Sequence, residues 1–148
     1  MTQTLTKTGR HFAQMEAGPM NQWPDYTVHL PGLDIPGKLF IKETLGLTGC
    51  EISINAMPPG GEVPFYHTHQ QNEEVYIFIK GRGQLQIDGE TLDVKEGSIV
   101  RIAPDAERIW RNNGDESLVY IIMQVKENSL VQWSAVDGNI LETAPAWG

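Results

Sequence analysis

Turn residues punctuate this chain so often that no long helix fits between them. From Lys38 onward, short runs are separated by Pro58-Pro59-Gly60-Gly61, Gly81-Arg82-Gly83, Asp88-Gly89, Pro104-Asp105 and Asn113-Gly114-Asp115. Within those runs apolar and polar residues alternate with period two, the mark of a strand with one buried face. Lys38–Thr44 and Cys50–Met57 read this way, and Leu85 and Ile87 alternate with Gln84 and Gln86. Asp88-Gly89 joins that run to Glu90–Val94 and is the strongest short hairpin signal in the chain. Ser98–Ala103, Arg108–Asn112 and Leu118–Val125 supply further strands. Roughly eight to ten short strands with Gly, Pro and Asn turns predict an all-β sandwich or barrel.

The length of 148 residues predicts one domain, 1–148, divided into an arm (1–36), a barrel (38–125) and a tail (126–148). The arm carries Pro19, Pro24, Pro31 and Pro36 with Gly18 and Gly32, so it reads as extended with turns. Its apolar residues, among them Trp23 and Tyr26, predict packing along the barrel or against a partner subunit. His11 and His29 read as surface histidines. In the tail, Asp137-Gly138 predicts a second short hairpin. A formal net charge of −8, with eleven Lys and Arg scattered and no basic run, argues against nucleic acid as a partner. No apolar run reaches the roughly 18 residues of a membrane span, and the N-terminus lacks a signal-peptide core. A cytoplasmic location is expected. The single cysteine, Cys50, excludes an internal disulfide and a cysteine zinc cluster and reads as a small buried hydrophobe.

The chemistry concentrates between Gly61 and Gly81. His67 and His69 are two apart, so on an extended strand both imidazoles point to one face. The polar turn Gln70–Glu73 follows, and Glu74 opens the apolar run Val75–Lys80, which returns a carboxylate toward the same point. Two histidines and one carboxylate with open positions suit non-haem iron, or zinc with water as a further ligand.

The spacing G-x5-H-x-H-x4-E-x6-G, complete at Gly61, His67, His69, Glu74 and Gly81, resembles the first motif of the cupin superfamily. The resemblance implies an all-β, cupin-type jelly-roll β-barrel, here with an extended N-terminal arm, and covers about residues 38–125. A second cupin motif, G-x5-P-x-G-x2-H-x3-N, corresponds to Gly97–Asn112. Gly97 and Asn112 match, Ala103 and Asp105 replace its proline and glycine, and Arg108 stands where the family has a metal-binding histidine. Guanidinium has no lone pair to give a metal. At ~5 Å and an effective dielectric of ~20 it would repel a divalent ion by roughly 6 kcal/mol. Two outcomes are consistent. Either Arg108 pairs with Glu74 or Glu73 and the site is metal-free, or one divalent ion (zinc, iron, manganese or nickel) sits on His67, His69 and Glu74 while Arg108 turns to a ligand anion.

Alternation places Glu74, Tyr76 and Phe78 on one face and Arg108, Trp110 and Asn112 on another. Tyr76, Trp110, Asn112 and Arg108 are therefore the candidate ligand-binding residues beside the metal ligands. The function expected is a small-molecule-binding cupin whose ligand is a small anionic metabolite. The alternative is a metal-dependent dioxygenase, isomerase or decarboxylase in which Arg108 holds the substrate anion. Val75, Ile77 and Ile79 make the outer face of the same strand apolar, and a homodimer is the expected cover, with the arm as the other solution.

Overall fold

The computed structural model describes residues 5–132 and 134–147. The alternating runs form antiparallel strands, and two sheets dominate. The larger combines β5 (Lys38–Phe40), β6 (Glu51–Met57), β7 (Asn72–Lys80), β10 (Ile99–Ile102) and β12 (Leu118–Lys126) in the order β10-β7-β12-β6-β5. The smaller has the order β11-β8-β9, from β8 (Arg82–Ile87), β9 (Glu90–Lys95) and β11 (Arg108–Arg111). Asp88 and Gly89 both take positive φ (49° and 85°), the signature of the two-residue turn that the sequence predicts. The sheets pack face to face around Tyr76, Phe78, Tyr120 and Ile122 from one and Leu85, Val94 and Trp110 from the other. This is the jelly-roll architecture expected from the sequence. Gly81 is a fixed point of it: φ is +83° and a Cβ would press on the Ser117 carbonyl oxygen.

The arm is structured. β1 (Leu5–Thr8) pairs with β2 (Ala13–Met15), a 3-10 turn runs Met20–Asp25, and β3 (Thr27–Leu30) pairs with β4 (Leu33–Pro36). Trp23 and Tyr26 bury themselves on the outer face of the larger sheet against Ile54, Ala56 and Val119, with Ile79 and Ile121 packed alongside. The arm thus covers one end of the apolar outer face. Gly37 joins arm to barrel: its N–H donates to Tyr26 O (2.7 Å), and its carbonyl accepts from Ala56 N (2.8 Å). Its φ is +67°, and a Cβ there would run into the Ala56 carbonyl oxygen.

Three sequence expectations are corrected. Lys38–Thr44 is a strand only through Phe40. The Glu51 carboxylate accepts from Lys42 N (3.0 Å), a helical turn α1 (Lys42–Leu45) begins there, and left-handed Gly46 ends it. The histidine segment is extended but not a continuous strand. It joins the smaller sheet through two isolated bridges, Glu62↔Arg111 and His67↔Arg108. Among the described residues the tail shows no hairpin at Asp137-Gly138; Ser134–Asp137 is a 3-10 turn and residues 138–147 have no regular structure. Val136, Ile140 and Leu141 are exposed, so the flanking residues gain no burial from pairing. Trp133, in the first arm of that expected hairpin, lies outside the described residues. Among the described residues no helix is long and apolar enough to cross a membrane.

Candidate functional site

The bridge between His67 and Arg108 is the local device that assembles the site. His67 N donates to Arg108 O and Arg108 N to His67 O, both at 3.2 Å, and His69 N is held by Pro104 O at 2.7 Å. The segment is thereby stretched across the end of β11 with both imidazoles directed inward. β7 runs beneath, and its alternation turns Glu74, Tyr76 and Phe78 into the interior. The three predicted metal-ligating groups come together: one donor atom from each of His67, His69 and Glu74 lies within 4.8 Å of the others. Glu74 Oε1 is 3.3 Å from His69 Nε2 and 3.8 Å from His67 Nε2.

Arg108 is fully buried behind Glu74, with Nη2 at 3.3 Å from Glu74 Oε1. The pairing with Glu74 matches one of the two outcomes read from the sequence, through a single oxygen rather than a bidentate fork. Its other bonds go to the backbone. Nη1 donates to Ala106 O (2.7 Å), Pro104 O (3.2 Å) and His67 O (3.4 Å), and Nη2 donates to Ala103 O (3.3 Å). Arg108 therefore ties the turn after β10 to the histidine segment and does not line the cavity described below. The expectation that it holds a ligand anion is corrected on that ground. Tyr76 also sits behind the site and donates its hydroxyl to Glu74 Oε1 (3.2 Å). Asn112 is engaged by Met57 O and Glu116 O, and its own oxygen accepts from Gly114 N, so it too is structural. Of the four residues expected to touch a ligand, Trp110 alone lines the cavity, fixed by its indole N–H to Tyr120 Oη at 2.7 Å.

Electrostatics follow from this packing. Burial alone would raise the Glu74 carboxyl, but His67, His69 and Arg108 outweigh it, and the group is held below its ordinary value. Burial is the chief influence on His69 and lowers it; Glu74 pulls the other way, and His67 and Arg108 add to the lowering. The His69 imidazole is thus neutral at pH 7, and its buried Nε2 has no hydrogen-bond partner. The His67 Nδ1 and Arg108 Nε atoms are likewise buried without one. Burial and the Glu74 charge push the Tyr76 phenol well up.

The donor set fits a divalent ion. Two imidazoles, each with a buried nitrogen that has no hydrogen-bond partner, and an ionised carboxylate converge within 4.8 Å, so a small inward shift brings all three within reach of bonds of about 2 Å, and a cavity lies open before them. The Arg108 charge behind Glu74 weakens that fit without removing a ligand.

The cavity has a volume of about 570 Å³ and occupies the barrel interior. His67, His69, Glu74 and Trp110 form one wall. Leu30, Leu33 and Ile35 of the β3–β4 hairpin form another, so the arm closes part of the site. The wall from β5 and β6 carries Lys38, Ser53 and Asn55. Lys38 Nζ donates to Ser53 Oγ (3.0 Å) and Asn55 Oδ1 (2.9 Å). Sequence reading missed this cluster. The signal was there: Lys38 alternates with Leu39, and Ser53 and Asn55 alternate with Ile52 and Ile54.

A double-sheet antiparallel barrel with two histidines and a glutamate at the end of its cavity is the architecture of a metal-site barrel. The cupin domain model matches residues 54–124. A cupin protein from Bacteroides fragilis of known structure is 39% identical with a TM-score of 0.68, over 70% of this chain and 88% of that one. This chain belongs to the cupin family. It is also similar to an uncharacterised protein of Methanocaldococcus jannaschii, 33% identical over 63 residues, which are 43% of this chain and 50% of the relative. A protein described as polyketide synthase CurC of Streptomyces cyaneus is 32% identical over 73 residues, 49% of this chain and 47% of the relative. The chain spans about half the length of these curated relatives.

Proposed function

We propose that this cupin binds a small anionic metabolite in its barrel cavity, with His67, His69 and Glu74 as the site of one divalent metal. The observation that carries the reading is the convergence of these three side chains, two of them with an orphaned buried nitrogen, at the end of a cavity of about 570 Å³. When bound, zinc, iron, manganese or nickel would supply Lewis acidity to a ligand oxygen. The chain's own residues do the rest. Trp110 and the β3–β4 hairpin present apolar surface to the ligand and exclude water. Tyr76 and Arg108 hold the Glu74 oxygen in place from behind. Elemental analysis of protein purified without chelators tests the reading: about one equivalent of a divalent metal per chain is expected, and the absence of any stoichiometric metal, together with failure to take one up, contradicts it.

A second reading, a metal-dependent enzyme, is favoured by one feature. Lys38 faces the same cavity with its amine brought down to about 8, chiefly by burial, with Glu74 and Glu51 opposing. A group poised near working pH is suited to proton transfer. Turnover of a bound acid that is lost in Lys38→Met would establish it. As to assembly, we propose a homodimer through the outer face of the larger sheet. Val75 and Ile77 are half-buried there, Ile99 beside Ile77 is 68% exposed, and the arm covers only the far end. Light scattering at micromolar concentration giving 33 kDa, twice the 16.5 kDa chain, is the expected result.

A further inference from the structure

We propose that Lys38 is the anchor for the carboxylate of a ligand whose remaining body is apolar. The inference rests on the cavity's being a ligand site and adds to it the chemistry of the ligand. Lys38 is a half-buried cation whose two hydrogen-bond partners, Ser53 Oγ and Asn55 Oδ1, are both neutral. An ammonium has three donors, so one is left over. Among the described residues no carboxylate lies within 4.0 Å of it. The Phe40 ring also lies beside it, with the centroid 5.0 Å from Nζ.

The partners are fixed rather than adaptable. Ser53 and Asn55 are each 2% exposed. The Asn55 amide donates to Ser53 Oγ (3.0 Å), Ser53 O (3.1 Å) and Tyr120 O (3.3 Å), which leaves its oxygen facing Lys38. The carboxylates in electrostatic reach, Glu51 and Glu74, are each committed elsewhere. Glu51 Oε1 accepts from Lys42 N and Ile52 N, both at 3.0 Å, and Glu74 is ringed by Tyr76, Arg108 and the two histidines. A charge held out of water without a counter-ion is costly, and a cavity-facing one is completed by an anion from outside. Around it the cavity is apolar, with Leu33, Ile35, Phe40 and Ile122 on its surface. One anchored carboxylate and an otherwise hydrophobic body is the complement of such a lining. With its amine at about 8, Lys38 is mostly the ammonium at neutral pH, so it donates to an anion in charge-assisted form.

The test uses octanoate, benzoate and cinnamate beside their primary amides, titrated calorimetrically into the full chain and its Lys38→Met and Lys38→Arg variants. At least one acid should bind the wild type about 10- to 100-fold more tightly than its amide. Lys38→Met should lose that preference while binding the amide within about twofold of wild type, and Lys38→Arg should keep part of it. Manganese titration of Lys38→Met should match wild type, because the metal ligands are untouched. A Lys38→Met variant that still prefers the acid overturns the inference and leaves the cavity reading standing. A wild type that binds amides as tightly as acids also overturns it. Failure of every acid and amide to bind, together with no metal uptake, removes the cavity reading and the inference together.

Discussion

The histidine wall and the lysine wall of the cavity handle buried charge in opposite ways. On the histidine wall, Glu74 is 4% exposed but surrounded by Tyr76, His69 and Arg108, and Arg108 in turn satisfies four backbone carbonyls. The negative charge is balanced within the protein. On the other wall, Lys38 hydrogen-bonds only neutral partners, and among the described residues it has no counter-ion within 4.0 Å. The role of each wall follows from that contrast. A balanced wall holds its geometry with or without a ligand, whereas the unbalanced one would be completed by an anion in the cavity, as proposed above.

The largest effect should come from unbalancing the first wall. Arg108→Met leaves Glu74 buried with one cation fewer and strips donors from the Ala103, Pro104, Ala106 and His67 carbonyls. Urea unfolding should show a loss of about 3–5 kcal/mol, the cost of breaking a buried pair. A loss below about 1 kcal/mol would mean that the wall is not held by this pair. Next comes the junction that sets the lysine wall. Gly37→Ala forces a side chain into positive φ and against the Ala56 carbonyl immediately before Lys38. A destabilisation of about 1–3 kcal/mol is expected. Weaker acid binding should accompany it, and an unaltered protein would show that the arm junction does not position Lys38.

The smallest effect is expected from Lys38→Met, within about 1 kcal/mol of wild type at pH 7, since an apolar replacement removes an uncompensated charge. Its pH dependence has a definite sign. The Lys38 amine falls from its ordinary 10.5 to about 8, chiefly through burial, with Glu74 and Glu51 opposing. Below pH 8 both folded and unfolded chains hold the proton and the penalty is constant. Between about 8 and 10.5 the unfolded chain keeps the proton that the folded chain has released, so wild type gains stability relative to Lys38→Met as pH rises. Paired urea titrations at pH 7 and pH 10 measure this. A flat difference would place the amine in a solvent-like environment, and a falling one would mean that the fold stabilises the ammonium.

The two walls also differ in how much of them the sequence discloses. His67, His69 and Glu74 are legible because H-x-H on an extended segment and a short turn back to Glu74 fix direction by alternation alone. Alternation puts Arg108 on one face with Trp110 and Asn112, but neither that this face is the inner one nor which partners Arg108 finds is legible. They are carbonyls of the turn 103–106, and a sequence does not display where a turn points its oxygens. Lys38 was missed although Lys38, Ser53 and Asn55 all sit at alternating positions. Recognising them required knowing that β5 pairs with β6 with Lys38 opposite Asn55 and Phe40 opposite Ser53. Pairing between strands ten or more residues apart in sequence is set by the whole barrel. The arm shows the same limit. Its prolines and glycines announce turns, but the β3–β4 hairpin becomes a cavity wall only through the backbone bonds of Gly37 to Tyr26 and Ala56.

The most direct test of the account is a calorimetric titration of chelator-treated wild type and His69→Ala with manganese(II) and with zinc(II). The His69 backbone bond to Pro104 survives that substitution, so the fold of the segment is kept. One saturable site per chain is expected in the wild type, with affinity at least about tenfold weaker in His69→Ala for the same metal. Equal affinity in the two proteins, or no saturable site in either, would contradict the assignment of His67, His69 and Glu74 as a metal centre.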